Sequence, residues 1–353
     1  MRTRAKVLLA VAVGALVISL PSQDRLVGAR ESTQQATRGP VPQHVILTTD
    51  AGEITFLAAS ADGRYLAAAS LDSHVFLWET SEWKQVASVS PEPPPKAAQG
   101  EHQDEYSAIE GLAFSPDNHT VAFASEGILF TFDTRSRIKR VRGRTDAESL
   151  AFTPDGTKLI ATTANSSVEI WDTRMWRRRI IATPLFQDPN AVAGAISISS
   201  DGSYAAISGD GGVGILDLDT LVFTMLPPPT DAPKRAEGGY QIGISADNRF
   251  VASGVTAFES YRLVVWDVVN KAVVFSAKTE RGVWAVAFSQ DRKVLFAGQS
   301  MDKIIGWKTT TWNEACTLDS EGQYQFAVGA RWLAAGGGTQ TITIIPLQEC
   351  TSN

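Results

Sequence analysis

Residues Ala147–Thr173 read AESLAFTPDGTKLIATTANSSVEIWDT. Leu150-Ala151-Phe152 and Leu159-Ile160-Ala161 flank the turn Thr153-Pro154-Asp155-Gly156. Proline fixes its φ, aspartate bonds the backbone two residues on, and glycine accepts a positive φ, so this stretch reads as a hairpin. Val168-Glu169-Ile170-Trp171 is β-branched or aromatic with one polar interruption, the pattern of a partly buried strand. Asp172-Thr173 opens a further turn, and Arg178–Thr183 supplies a fourth, more polar strand. Four antiparallel strands of this length cannot bury both faces alone. Stacking radially against copies of themselves buries both, which is the logic of a propeller.

Copies recur along nearly the whole chain. The first turn returns as Ala61-Asp62-Gly63, Pro116-Asp117-Asn118, Ser200-Asp201-Gly202, Ala246-Asp247-Asn248 and Gln290-Asp291-Arg292. From Asp117 onward the intervals are 38, 46, 46 and 44 residues, the length of a four-stranded blade. The third strand ends at Trp78, Phe132, Trp171, Leu216, Trp266 and Trp307, and three copies carry a second tryptophan five residues on: Trp83, Trp176 and Trp312. A seventh, degenerate copy occupies Gln325–Leu347, with no fourth strand of its own. His44–Thr49 has strand composition and no unit to belong to, so it is expected to complete the last blade and close the ring. The predicted fold class is all-β, a seven-bladed propeller of four-stranded antiparallel blades over residues 44–347.

Trp171-Asp172, Trp266-Asp267, the weaker Trp78-Glu79, Phe132-Asp133, Leu216-Asp217 and Trp307-Lys308, and the Ser/Thr-x-Asp-Gly turns together resemble the WD40-repeat family. Asp72, Asn165 and Asp210 stand six residues before the third-strand end, where that family has its turn aspartate. The family's Gly-His dipeptide is missing from every copy, so its buried Asp–His–Ser/Thr–Trp network is expected to be incomplete. The resemblance implies a non-enzymatic protein-interaction scaffold without cofactors, built as a monomeric propeller that binds a protein or peptide partner.

Arg2, Arg4 and Lys6 precede Val7–Leu20, an uncharged apolar run closed by Pro21, and Val27-Gly28-Ala29 offers small residues for cleavage. Residues 1–29 read as an export signal, with an uncleaved membrane anchor as the alternative, and Arg30–Gln43 as a polar leader. Export places the chain in the periplasm or outside the cell. Cleavage there takes the net charge from −6 to −9. An acidic surface argues against nucleic-acid binding. The only cysteines are Cys316, in the fourth strand of blade six, and Cys350, just past the third strand of blade seven. They either pair across the two blades or stay as two thiols. Residues 348–353 form a short C-terminal tail.

In a meander blade the loops alternate between the two ends of the ring. One face carries the short, uniform Asp-Gly and Trp-Asp-Thr turns. The other carries the insertions Ser90–Ser107, Pro184–Ala193, Pro227–Gly239 and Thr256–Ser260, the last lengthening blade five's middle hairpin. Long loops gathered on one face of a rigid scaffold mark that face for recognition, although surface loops also drift cheaply. The position after the opening apolar residue of each first strand reads Thr55, Glu110, Glu148, Gly194, Tyr240 and Trp284, all expected near the channel mouth on the same face. Tyr106, Phe258, Tyr261 and Trp284 are the candidate partner-binding residues, since aromatics at the centre of a patch are the usual anchors. Tyr240 and Trp284 could equally pack between blades.

Arg135–Arg144 and Arg174–Arg179 hold 10 of the 32 basic residues, on the outer strands of blades two and three. Charge there blunts exposed strand edges, or meets an acidic partner. His44, His74, His102 and His119 do not fall at metal-ligand spacing, and only His102, near Asp104 and Glu105, suits an ion. No nucleophile elbow, phosphate loop or dinucleotide fingerprint occurs in a credible setting. A metal-dependent propeller hydrolase drawing on Glu110 and Glu148, and a fixed structural subunit of an envelope complex, are the alternative functions.

Overall fold

The structure is a computed structural model that describes residues 44–91, 109–181, 185–186, 192–229, 237–257, 260–300, 303–320 and 324–351. The expected export signal and leader, Tyr106, Phe258 and His102 lie outside the described residues. Seven four-stranded antiparallel sheets follow one another as blades one to six, over residues 54–89, 109–144, 147–181, 193–225, 237–279 and 285–319, and blade seven. Blade seven takes its first three strands from residues 325–346 and its fourth from Val45–Thr48, which pairs with Thr341–Pro346 from Val45↔Ile344 to Thr48↔Thr341. The orphan strand of the sequence therefore closes the ring. A single helical turn, Gln348–Thr351, follows blade seven. Among the described residues no helix is long and apolar enough to cross a membrane.

The first turn of each repeat is built as its residues dictate. Ser60, Ser115, Thr153, Ser199, Ser245 and Ser289 each donate a side-chain hydrogen bond to the aspartate two residues on, at 2.5–2.8 Å. The same hydroxyls accept the backbone N–H five residues on, as in Tyr65 to Ser60 and Phe250 to Ser245, both 2.8 Å. Gly63, Gly156 and Gly202 follow their aspartates with φ of 69–74°, and Asn118, Asn248 and Arg292 take the left-handed position in the other copies. Hydrogen bonds from the hydroxyls of Thr153 and Thr157 hold the Asp155 carboxyl below the usual carboxylate range.

Second strands lie between two neighbours within the sheet and between two blades across it, so their residues are buried almost without interruption. Alternation along them feeds alternate junctions: Leu66 and Ala68 pack toward blade seven, Ala67 and Ala69 toward blade two. The core is accordingly divided into seven apolar layers, one per blade junction.

The turn between third and fourth strands explains both the Trp-Asp pair and the second tryptophan. Asp172 accepts the N–H groups of Arg174 and Met175 at 3.0 and 2.8 Å, and Asp133 and Asp217 cap their turns in the same way. The residue five past the third-strand end then takes a positive φ: Trp83, Arg137, Trp176, Leu221, Lys271 and Trp312, at 48–61°. A left-handed conformation costs an L residue about 1–2 kcal/mol. Contact with the preceding blade offsets that cost. Trp83 meets Trp332 of blade seven edge-on at 5.3 Å, Trp176 lies under the Arg142 guanidinium of blade two at 4.3 Å, and Trp312 stacks on Phe275 of blade five at 5.3 Å.

Blade seven reaches the preceding blade from the same position with a different residue, here in a helical turn and without the left-handed backbone. Trp332 pairs with Pro346 as Phe250 pairs with Asp267, which makes Ile345 the third-strand end and Cys350 the fifth residue after it. Cys350 forms a disulfide with Cys316 in the outer strand of blade six. Of the two alternatives left by the sequence, the structure has the pair.

The absent Gly-His dipeptide leaves the indole N–H groups to other acceptors. Trp266 donates to the Pro227 carbonyl at 2.7 Å, and Trp171 to the Glu169 carboxylate at 3.1 Å. Glu169, 1% exposed, also accepts from the Thr145 hydroxyl at 2.6 Å, the Asp146 N–H at 3.3 Å and Arg178 at 2.7 Å. This carboxylate joins the end of blade two to the outer strand of blade three.

Candidate interaction face

First strands touch one another in cyclic order and so form the inner wall of the ring. Near the start of five of them the pairing with the second strand slips. Thr55, Glu110 and Glu148 are each an extra residue in the first strand, between Ile54 and Phe56, Ile109 and Gly111, and Ala147 and Ser149. Gly194 with Ala195, and Gly239 through Gln241, occupy the corresponding bulges in blades four and five. A bulge releases its residue from the ladder and re-aims it. Five of the six recurrent positions thus fall in bulges, Trp284 being the exception, which needed the cross-strand register to be seen.

Gln241, which the sequence reading did not single out, sits in blade five's bulge and reaches past blade six. Its side-chain amide donates to the Phe326 carbonyl at 2.8 Å and accepts the Phe326 N–H at 3.1 Å. Phe326 belongs to the first strand of blade seven (Gln325–Val328), whose inner edge has no ladder partner. The amide supplies one, and it ties two non-adjacent blades together along the inner wall.

Blade five corrects the reading of its insertions. Residues 237–239 and 256–260 were expected as loop, but Glu237 pairs with Thr256, Thr256 with Tyr261 and Ala257 with Ser260. The four strands Glu237–Ile244, Phe250–Ala257, Ser260–Asp267 and Ala272–Thr279 are each 8 residues long, whereas those of the other blades run to 3–7. The inserted residues therefore lengthen the sheet into a crest, because a continuous register satisfies backbone groups that a loop leaves to water. Tyr261, half-buried, stands in this crest opposite Thr256 and Thr279. Of the insertion between blades three and four, Leu185 and Phe186 are buried, and Phe186 meets Phe223 edge-on at 5.6 Å.

Trp284 lies at the start of blade six, its backbone N–H bonded to the Gly298 carbonyl at 3.2 Å. Its half-buried ring meets Tyr324 of blade seven edge-on at 5.6 Å. Glycines make room for both rings. A Cβ at Gly282 would lie 3.3 Å from the Trp284 indole, and one at Gly337 or Gly338 would come within 2.7 or 2.4 Å of Tyr324. Trp284 thus contributes to the junction of blades six and seven. Tyr324 was missed, since the recurrent position was followed only as far as blade six; the Gly336-Gly337-Gly338 run was its one signal.

The arginine-rich strands fall where expected, at Lys139–Arg144 and Arg177–Ile181 on the outer edges of blades two and three. Two of the arginines are structural: Arg142 covers Trp176 and donates to Thr131, and Arg178 pairs with Glu169. Arg140, Arg144, Arg177 and Arg179 stay exposed. Among the described residues no group of three His, Cys, Asp or Glu side chains is arranged to hold a metal ion.

Comparison with known proteins agrees with this geometry. Residues 41–79, 136–172 and 271–306 match the family model for WD40, the WD domain or G-beta repeat. Each matched segment begins with the outer strand of one blade and runs through three strands of the next, the same one-strand offset that closes the ring. Among solved structures the β-propeller domain of Cps50 (Swd1) from Myceliophteria thermophila is similar, with a TM-score of 0.65 and 15% identity over 86% of this chain and 99% of that one. At that identity the likeness speaks for the fold alone. No curated protein sequence matches the chain.

Proposed function

We propose that this seven-bladed propeller, three segments of which match the WD40 repeat, acts as a non-enzymatic scaffold, a monomeric ring that engages a protein or peptide partner through its loop-bearing face. The observation that carries the reading is the crest of blade five, four strands of 8 residues extended on that face, together with the Trp284–Tyr324 pair. Half-buried aromatics on a continuous sheet supply anchors for binding. The ring works outside the cytoplasm, with residues 1–29 as its export signal. The Cys316–Cys350 disulfide supports this, since such bonds persist in oxidising compartments.

Affinity capture from a native extract, with wild type beside Tyr261→Ala/Trp284→Ala, tests the proposal. A partner held by wild type and reduced at least about tenfold in the variant, at similar thermal midpoints, is the expected result. Equal capture by both proteins would place the binding face elsewhere. A lowered midpoint with capture intact would assign Trp284 to blade packing alone.

A further inference from the structure

Lys139–Arg144 and Arg177–Ile181, the outer strands of blades two and three, hold seven cations and no acidic residue. The outer strands of the other five blades hold two cations altogether, Lys84 and Lys278. Guarding a free strand edge therefore takes far less charge in this ring than these two strands carry. The two strands are held side by side, since Arg142 covers Trp176 and Glu169 joins Thr145 to Arg178.

The carboxylates nearby do not cancel this charge. Glu169 neutralises Arg178, Asp133 and Asp172 are anions in the turns that carry Arg135 and Arg174, and Asp146 follows Arg144 by two residues. Residues 133–181 as a whole contain 11 basic and 6 acidic side chains, an excess of five positive charges with every carboxylate counted, in a chain whose net charge is −6. The flanking outer strands, Lys84–Val89 and Phe223–Met225, bring no acidic residue. Apolar side chains stand among the cations. Eight large apolar side chains are exposed among the described residues, and four of them are here: Ile138 (46%), Val141 (65%), Met175 (65%) and Ile180 (49%), each next to an arginine in the chain.

We infer that this outer edge of blades two and three is a second binding surface, separate from the loop-bearing face, that docks the ring on a bilayer rich in anionic lipid. The exposed guanidinium groups of Arg140, Arg144, Arg177 and Arg179 match lipid phosphate oxygens in pairs. The interleaved apolar side chains enter the boundary between headgroups and acyl chains, as on the apolar face of an interfacial helix. An acidic polypeptide would answer the cations and leave the apolar side chains in water. An anionic bilayer answers both.

Co-sedimentation of the full chain with vesicles tests this, with equal parts of phosphatidylcholine and phosphatidylglycerol beside phosphatidylcholine alone. The expected result is binding to the anionic vesicles only, weakened as ionic strength rises. Arg140→Gln/Arg144→Gln/Arg177→Gln/Arg179→Gln leaves Arg142 and Arg178 to their structural contacts. It is expected to bind at least about a hundredfold more weakly, since each basic residue near such a surface contributes about fivefold. Val141→Ser/Ile180→Ser is expected to lose about tenfold at unchanged charge. Both variants are expected to keep the wild-type thermal midpoint, because all six side chains are exposed. No binding by the wild type, or equal binding by the arginine variant, would overturn the docking edge. Binding indifferent to lipid charge would assign it to the apolar run Val7–Leu20 and overturn the edge as well. Full binding by Val141→Ser/Ile180→Ser, with polyglutamate held as tightly as vesicles, would give the edge to an acidic polypeptide and overturn the bilayer. Self-association of the wild type that the arginine variant abolishes would give it to a second copy, with the same consequence. None of these results bears on capture through the crest.

Discussion

Glu169→Ala is expected to lower the stability of the ring by about 3 kcal/mol, measured by reversible chemical denaturation. The carboxylate is 1% exposed and takes four hydrogen bonds: from the Thr145 hydroxyl, the Asp146 N–H, the Trp171 indole and Arg178. Removing one partner of a buried pair costs about 3–5 kcal/mol, because the groups left behind stay desolvated. The lower end applies here, since Arg178 is 29% exposed and can turn to water once released. Thr145 and the Trp171 N–H cannot. Arg178→Ala isolates the other half of the pair, leaving a buried carboxylate with its three remaining donors. A loss under about 1 kcal/mol for Glu169→Ala would show that this carboxylate does not join blade two to blade three.

Cys316→Ala/Cys350→Ala is expected to cost about 4 kcal/mol, the chain-entropy value for cysteines separated by 34 residues. The bond also fills a prepared space. Cys350 is buried in the layer between blades six and seven, and a Cβ at Gly306 would approach the Cys316 sulfur to 2.7 Å. Closure by Val45–Thr48 keeps the ring shut without the disulfide, so the variant is expected to fold with a lowered midpoint. Reductant should bring wild type to the level of the variant and leave the variant unchanged. A wild type indifferent to reductant would contradict the role given to this bond.

Much of the fold was legible because its signals are local. Asp-Gly turns, the Trp-Asp pair and the orphan strand each depend on a few neighbouring residues, and each is found where the sequence placed it. What stayed hidden depends on register between distant segments. Glu237-Gly238-Gly239 has loop composition and becomes strand only because Thr256 and Val255 lie opposite. Gln241 meets Phe326 across an intervening blade, a contact 85 residues apart that no repeat pattern announces. Cys350 stands in the tryptophan position, yet blade seven has lost the tryptophan by which that position is recognised. The insertion-bearing face changes in character from a set of loops to a crest of sheet and a pair of rings.

Hydrogen–deuterium exchange on the ring, alone and with its captured partner, tests the scaffold reading most directly. Slowed exchange in the crest strands around Thr256 and Tyr261 and at the Trp284 and Tyr324 segments is the predicted result. Protection confined to the opposite face, at the Asp-Gly turns, would contradict it.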